Sequence, residues 1–298
     1  MFTQKRLDQA YEGARLEYFD DSSKYVFMSD HHRGDGGTSD EFTKNQNVFL
    51  FALDHYYKNG FTYVEVGDGD ELWEQPKFKY IKNAHYDVFE NIKKFFYHDR
   101  LIMLYGNHNI YLKDHDYVKK YYYSYYNDFR EQRFDFLKGL VPIESLVLKH
   151  RKTGQEILVV HGHQGDLAND QLWFPTMLSL KYFWRFMHSF GIRNPASPTK
   201  NVYKRHKIEK NFNKWILKNR KMVICGHTHR FKFPRTDDLP YFNTGCCIYP
   251  TTITAIEMEG GRIQIVRWKM RVNQDGLLQA KREVIRGSEL IGKYDIRE

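Results

Sequence analysis

The 298-residue chain predicts an α/β fold, on three observations. Short apolar runs recur at Tyr25–Met28, Phe61–Val66, Leu101–Leu104, Glu156–Val160 and Met222–Cys225. Segments of helical period separate the first three, giving strand, helix, strand, helix, strand. Each run also stops at residues able to hold a cation or move a proton, and α/β sheets place their ligands at the carboxyl ends of strands.

The first strand, Tyr25–Met28, ends in Ser29-Asp30-His31-His32-Arg33-Gly34. Asp30 and His32 are two apart and share one side of an extended backbone, a hard oxygen beside an imidazole nitrogen, while His31 points away. After Gly34-Asp35-Gly36-Gly37, Thr38 or Ser39 caps a helix with Asp40 and Glu41 in its first turn, which runs to about Tyr57 and stops at Asn59-Gly60. The strand Phe61–Val66 ends at Gly67-Asp68, with Asp70 and Glu71 close behind. Carboxylates crowded at one strand end repel one another unless a cation neutralises them, so the stretch reads either as an acidic, solvated turn or as a site in which Asp68 is shared by two metal ions.

Pro76 to about Tyr97 reads as a second helix, and Leu101–Leu104 as a strand ending in Gly106-Asn107-His108-Asn109. Asn107 offers a neutral oxygen, and His108 is a candidate general acid. Residues 111–137 are helical in period and rich in tyrosine, either a face packed on the sheet or a stacking surface for a base. Ser145–His150 and Glu156–Val160 read as a hairpin whose second strand delivers His161-Gly162-His163. Met222–Cys225 delivers Gly226-His227-Thr228-His229, where His227 and His229 repeat the spacing of Asp30 and His32. Tyr241–Gly245, Thr251–Glu257 and Arg262–Lys269 are β in character, the last two joined at Gly260-Gly261. The tail beyond Asn273 is polar and carries no readable pattern.

Apolar content of 41% and charge of 28% exclude a disordered chain. Three cysteines, two of them adjacent, make no disulfide framework and point to a reducing compartment. The polar start shows no apolar signal core, and no run is long enough to span a bilayer, so a cytoplasmic enzyme is expected. Oligomeric state is not legible.

Five strand ends carrying Asp-x-His, Gly-Asp, Gly-Asn-His, His-Gly-His and Gly-His-Thr-His, in that order, make the chain resemble the calcineurin-like metallophosphoesterases over about residues 24–257. The resemblance implies a four-layer α/β/β/α sandwich with a two-metal site at one edge, a single domain over 1–298. It implies one metal held by Asp30, His32, Asp68 and His229, and a second by Asp68, Asn107, His161 and His227. Two divalent ions, Mn or Fe with Zn as the alternative, would activate a bridging hydroxide against a phosphodiester, pyrophosphate or nucleotide, and His108 would protonate the leaving group. A nuclease or cyclic-nucleotide phosphodiesterase is the alternative enzyme; a phosphoesterase-like scaffold should have lost ligands, and none is missing here.

Departures from the family pattern sharpen this. Asn109 stands where relatives often carry an acid, so Asp70 or Glu71 is expected to orient His108. The chain lacks the Arg-Gly of the Ser/Thr phosphatases after Gly67-Asp68. Gly-Asp-x-x-acidic-Leu72-Trp73, with Tyr241-x-Asn243-Thr244-Gly245, looks more like the UDP-diacylglucosamine hydrolase branch, which cleaves a pyrophosphate bond. His163 and Arg33 are candidate substrate contacts; for His163 a supporting or a surface position is also open.

Net charge is +9, and all of it is local: residues 181–221 carry twelve Lys and Arg against Glu209 alone. This stretch belongs to an insert over 168–221 that reads as two helices, the second with an apolar stripe of Ile208, Phe212, Trp215 and Ile216. As a cap, its Lys204, Arg205 and Lys207 would meet an anionic phosphate-containing substrate, with nucleic acid as a further candidate.

Overall fold

The computed structural model describes residues 2–127, 130–166, 169–170, 172–179, 201–235 and 237–297. Its framework is two sheets. The first has six strands in the order β13 (Leu278–Leu290), β12 (Arg262–Val272), β11 (Thr252–Glu259), β2 (Tyr25–Met28), β3 (Thr62–Val66) and β4 (Leu101–Leu104). The second has five: β1 (Arg15–Phe19), β7 (Ser145–His150), β8 (Glu156–Val160), β9 (Met222–Cys225) and β10 (Tyr241–Asn243). β2, β3 and β4 run parallel, as do β8, β9 and β10, so each sheet presents three carboxyl ends together.

The apolar runs of the sequence follow from burial on both faces. Along each strand, alternate side chains enter different cores. Phe27, Val64, Val66, Ile102 and Leu104 meet Leu146, Leu148, Ile157, Val159 and Ile224 between the sheets. Val26, Met28, Tyr63 and Met103 face outward onto α2 (Gln46–Lys58) and α4 (Tyr86–Phe96). Val147, Leu158, Val160 and Val223 face the other way, onto α1 (Phe2–Glu12) and the long helix over Val202–Asn219. Three cores therefore separate four layers, α/β/β/α, as expected.

Several elements depart from their sequence reading. The helix expected from Thr38 or Ser39 starts later, as a 3₁₀ turn over Phe42–Asn45 that runs into α2 at Gln46; the Asp40 carboxylate accepts the Phe42 and Thr43 N–H groups at that start, and also meets Gly36 N–H and His85. The helix expected over 76–97 breaks at His85 into α3 (Phe78–Ala84) and α4. Among the described residues of 111–137, helix is confined to the 3₁₀ turn Ile110–Lys113 and α5 (His115–Tyr122), and β5 (Ser124–Asn127) pairs with β6 (Gln132–Asp135). Tyr122 is buried, and Tyr117, Tyr121, Tyr123 and Tyr125 pack against the core, so these tyrosines pack. The tail is not patternless: β13 pairs with β12 from Arg262–Leu290 to Val272–Leu278 as a polar edge strand.

Of the insert over 168–221, α6 (Trp173–Ser179) and α7 (Val202–Asn219) are described, and residues 180–200 lie outside the described residues. The apolar stripe of α7 is buried on the five-stranded sheet beside α1, so α7 forms part of the outer layer. Asp8 of α1 accepts from Trp215 Nε1 (2.8 Å) and pairs with Lys218 (2.8 Å), fastening the two helices together. Among the described residues no helix is long and apolar enough to cross a membrane.

Candidate metal centre

The ladder between β2 and β3 continues past the strand ends. The N–H groups of Asp30, His32 and Arg33 donate to the carbonyls of Gly67 (3.2 Å), Asp68 (2.9 Å) and Gly69 (2.9 Å). The Asp30 and Asp68 loops are thereby locked side by side. From the other sheet, Gly226 N–H donates to His161 O (2.8 Å), and His161 Nδ1 meets Val66 O (2.9 Å) across the sandwich. The five strand ends thus converge at one edge.

The backbone at this edge is unusual. Nine non-glycine residues among those described have positive φ, and five of them are Asp30, His32, Asp68, His227 and His229. Such conformations cost of order 1–3 kcal/mol each and persist where the surroundings over-determine them. Two glycines are required by close approach. A Cβ on Gly106 would lie 2.2 Å from Asp68 Oδ1, and one on Gly226 would lie 2.6 Å from Asp30 Oδ2.

Each aspartate has one oxygen tied down and one free to face the centre. Asp30 Oδ2 accepts from the His227 N–H (2.9 Å) and from the Ser29 hydroxyl, which in turn bonds Thr244 (2.6 Å). Asp68 Oδ1 accepts from the His108 N–H (2.8 Å). The remaining oxygens meet imidazoles. Asp30 Oδ1 lies 3.1 Å from His229 Nε2 and 3.8 Å from His32 Nε2. Asp68 Oδ2 lies 3.0 Å from His161 Nε2 and 3.9 Å from His32 Nε2, between the two expected ligand groups.

These separations suit a cation. Atoms about 2.1 Å from one ion stand about 3.0–3.4 Å apart in octahedral or tetrahedral geometry. His32 Nε2 and His229 Nε2 are 3.2 Å apart. Asp30, His32 and His229 form one group able to hold a metal, and Asp68, His161 and His227 another. Asp30 Oδ1, Asn107 Oδ1 and His161 Nε2 are buried without a hydrogen-bond partner. Buried polar atoms are rarely left so; of the two expected ions, one would satisfy Asp30 Oδ1 and the other Asn107 Oδ1 and His161 Nε2.

Glu71 serves two histidines at once. It accepts from His32 Nδ1 (2.8 Å) and His108 Nδ1 (2.7 Å), leaving both Nε2 atoms for other partners. Trp73 stacks on the His108 ring at 4.4 Å. Of the two acids expected to orient His108, Glu71 is the one in contact. Asp70 instead accepts from Arg33 Nε (2.7 Å) and Tyr122 OH (2.7 Å). Asn109 Oδ1 accepts the Gly106 N–H (2.6 Å), shaping the turn beneath His108.

Arg33 is corrected by its burial. It is 0% exposed and its guanidinium is consumed by Glu65 (2.8 Å) and Asp70, so it braces the loops from beneath and offers no contact to a substrate. His163 is also buried, which removes the surface reading; its ring lies 5.6 Å from that of His161. Lys204 pairs with Asp166 (2.9 Å), Arg205 is half-buried and Lys207 is exposed on α7. Ser29, Thr244, Asp166 and Glu65 were not singled out from sequence. Ser29 and Asp166 adjoin recognised motifs, but nothing in a spacing says that a hydroxyl or a carboxylate will turn toward a neighbouring loop.

Protonation follows from this packing. Burial would raise the Asp68 carboxyl, but the His161 and His108 imidazoles hold it far below the usual range. Burial would likewise raise Glu71, yet His108 and His32 hold it at about 2. Burial disfavours a charged His32, but Asp30 and Glu71 keep its pKa well above the ordinary value; burial also disfavours a charged His161, but Asp68 raises its pKa. His163, buried and facing two other imidazoles, is pushed well below.

No protein-family profile and no curated protein matches the chain. Solved structures give distant likenesses. A conserved protein of Streptococcus pneumoniae TIGR4 described as a predicted phosphoesterase is 12% identical, over 88% of this chain and 97% of that one, at a TM-score of 0.36. Vps29 of Chaetomium thermophilum is 9% identical over 90% and 97%, at 0.37. A cold-active protein-tyrosine phosphatase of a psychrophilic Shewanella is 14% identical over 91% and 82%, at 0.38.

Proposed function

We propose that the chain is a dinuclear metal-dependent phosphoesterase of the calcineurin-like kind. Within that class, the residues after Asp68 and the Tyr241-x-Asn243-Thr244-Gly245 segment favour cleavage of a pyrophosphate or phosphodiester bond, in the manner of the UDP-diacylglucosamine hydrolase branch. The observation that carries the reading is the set of orphaned atoms at one edge, Asp30 Oδ1, Asn107 Oδ1 and His161 Nε2, beside the bridging position of Asp68 Oδ2.

Charge supports two ions. Asp30, Glu65, Asp68, Asp70 and Glu71 are buried here with one guanidinium, Arg33. With the imidazoles neutral, as metal ligation requires, they leave an excess of three or four negative charges, according to whether Asp70, whose pKa burial pushes up, keeps its proton. Two divalent cations answer that excess. Asp30, His32, Asp68 and His229 would hold one, and Asp68, Asn107, His161 and His227 the other. Mixed carboxylate, amide and imidazole donors suit Mn, Fe or Zn better than Ca. When bound, such a pair activates water and neutralises charge on a phosphoryl group.

The chain's own residues do the rest. Glu71 fixes His108 with Nδ1–H inward and Nε2 outward; the proton for the leaving oxygen is the second one, carried on Nε2 of the imidazolium, whose charge Glu71 balances. Trp73 keeps that ring in plane. The paired backbone loops hold the aspartate oxygens in place before substrate arrives, which removes reorganisation from the reaction. The basic stretch adds long-range attraction for an anion, with Arg205 and Lys207 as candidate contacts.

The test is a Mn(II)-supplemented screen of phosphomonoesters, phosphodiesters, nucleotide sugars and short oligonucleotides, with Asp68→Asn as the blank. Hydrolysis of a diester or pyrophosphate that the variant lacks is expected. Turnover of oligonucleotides alone, falling steeply with salt, would move the assignment to a nuclease.

A further inference from the structure

Asp166 lies five residues beyond His161, on a loop tied to itself and to α1. Its N–H donates to His163 O (2.9 Å), and Gly165 N–H donates to Asp170, which pairs with Arg6 (3.0 Å). The Asp166 side chain is 6% exposed, and its Oδ2 takes three neighbours: Asn169 Nδ2 at 2.7 Å, Lys204 Nζ at 2.9 Å and His227 Nε2 at 3.5 Å. Lys204 is itself fixed. Its N–H is capped by the Asn201 side chain (3.1 Å), and the helix it opens is rooted in the core by Ile208, Phe212, Trp215 and Ile216. His227 needs such support, since its backbone is left-handed at φ 66° and no regular element directs its ring.

We propose that Lys204 and Asp166 are positioning residues for the second metal, Asp166 orienting the His227 imidazole and Lys204, from the basic helix, holding Asp166. This rests on the dinuclear reading above. A carboxylate against the far nitrogen of a ligating imidazole fixes the ring and raises its basicity, and losing one typically costs ten- to a hundredfold in metal affinity. With Nε2 against Asp166, Nδ1 is the His227 atom turned to the ion. One charge of the basic stretch is thus part of the metal centre, and the stretch couples to the site through that charge.

The experiment is calorimetric titration of the metal-free full-length protein with Mn(II), for wild type and for Lys204→Met, Asp166→Asn and Lys218→Met. Wild type is expected to take two ions. Lys204→Met and Asp166→Asn should weaken one of them about tenfold or more and spare the other. Lys218→Met, which breaks the Asp8 pair on the same helix, should change neither. Lys204→Arg should restore most of the loss, and saturating Mn(II) should return the kcat of Lys204→Met. A Lys204→Met protein with two wild-type affinities and only a raised KM would overturn the proposal, since Lys204 would then be a substrate contact. Wild type that binds no Mn(II) would overturn the dinuclear reading instead.

Discussion

At the scale of single residues, Arg33 makes the clearest case that position decides role. Beside His32 in sequence, it resembles a substrate contact. In the fold it is a buried cation joining β3, through Glu65, to the Asp68 loop, through Asp70. Burial would raise Glu65, but Arg33 holds it at about 2. Arg33→Ala would strand two buried carboxylates and is expected to cost about 3–5 kcal/mol, read from denaturant unfolding; a loss under about 1 kcal/mol would mean the network is dispensable. The metal ligands make a pH prediction. His32 and His161 titrate above the usual imidazole value when no metal competes, so each keeps its proton to a higher pH than a free imidazole does, and only neutral imidazole ligates. Metal affinity should therefore fall as pH is lowered through those raised values, and binding should release protons. Calorimetry at pH 8 and pH 6 in buffers of different ionisation enthalpy checks both; affinity independent of pH would contradict the ligand set.

At the scale of elements, the site-bearing strands were legible, and the reason is physical. β2, β3, β4, β8 and β9 are buried on both faces, so apart from Glu65 and the first residues of β3 and β8 they are apolar, and their ends are abrupt. The ligand residues sit at those ends, which is why Asp30, His32, Asp68, Asn107, His161, His227 and His229 could be picked out together. What was not legible has the opposite character. β13 is an edge strand with solvent around most of its side chains, so burial leaves no period-2 imprint. β5 and β6 hide in a tyrosine run that suits helix and strand alike. The start of α2 was misread because Thr38, Ser39 and Asp40 are all capping residues, and it is Asp40 whose carboxylate takes the Phe42 and Thr43 N–H groups at the 3₁₀ turn leading into α2. The basic helix α7 gives a prediction of its own. Arg205→Glu with Lys207→Glu should raise KM for an extended anionic substrate much more than for a small chromogenic phosphodiester; equal losses on both would remove the recruiting role.

At the scale of the whole molecule, two sheets meet so that three parallel strand ends from one face three from the other, and the site belongs to neither sheet alone. Asp30 accepts from His227 of the other sheet, and His161 reaches back to Val66. The excess buried negative charge sits at this junction, so ions bound there should hold the sandwich together as well as act on substrate. Chelation should lower the melting temperature, and a thousandfold excess of metal over its Kd should restore about 4 kcal/mol. An unchanged melting curve would place any bound metal away from this seam.

The central claim is that one carboxylate, Asp68, is shared by two ions. Metal content by elemental analysis of Asp68→Asn, set beside its hydrolytic rate and circular dichroism, tests it most directly. The account predicts about two ions per wild-type chain, fewer in the variant, no turnover, and an unchanged fold. A folded Asp68→Asn protein with full metal content and full activity would contradict it.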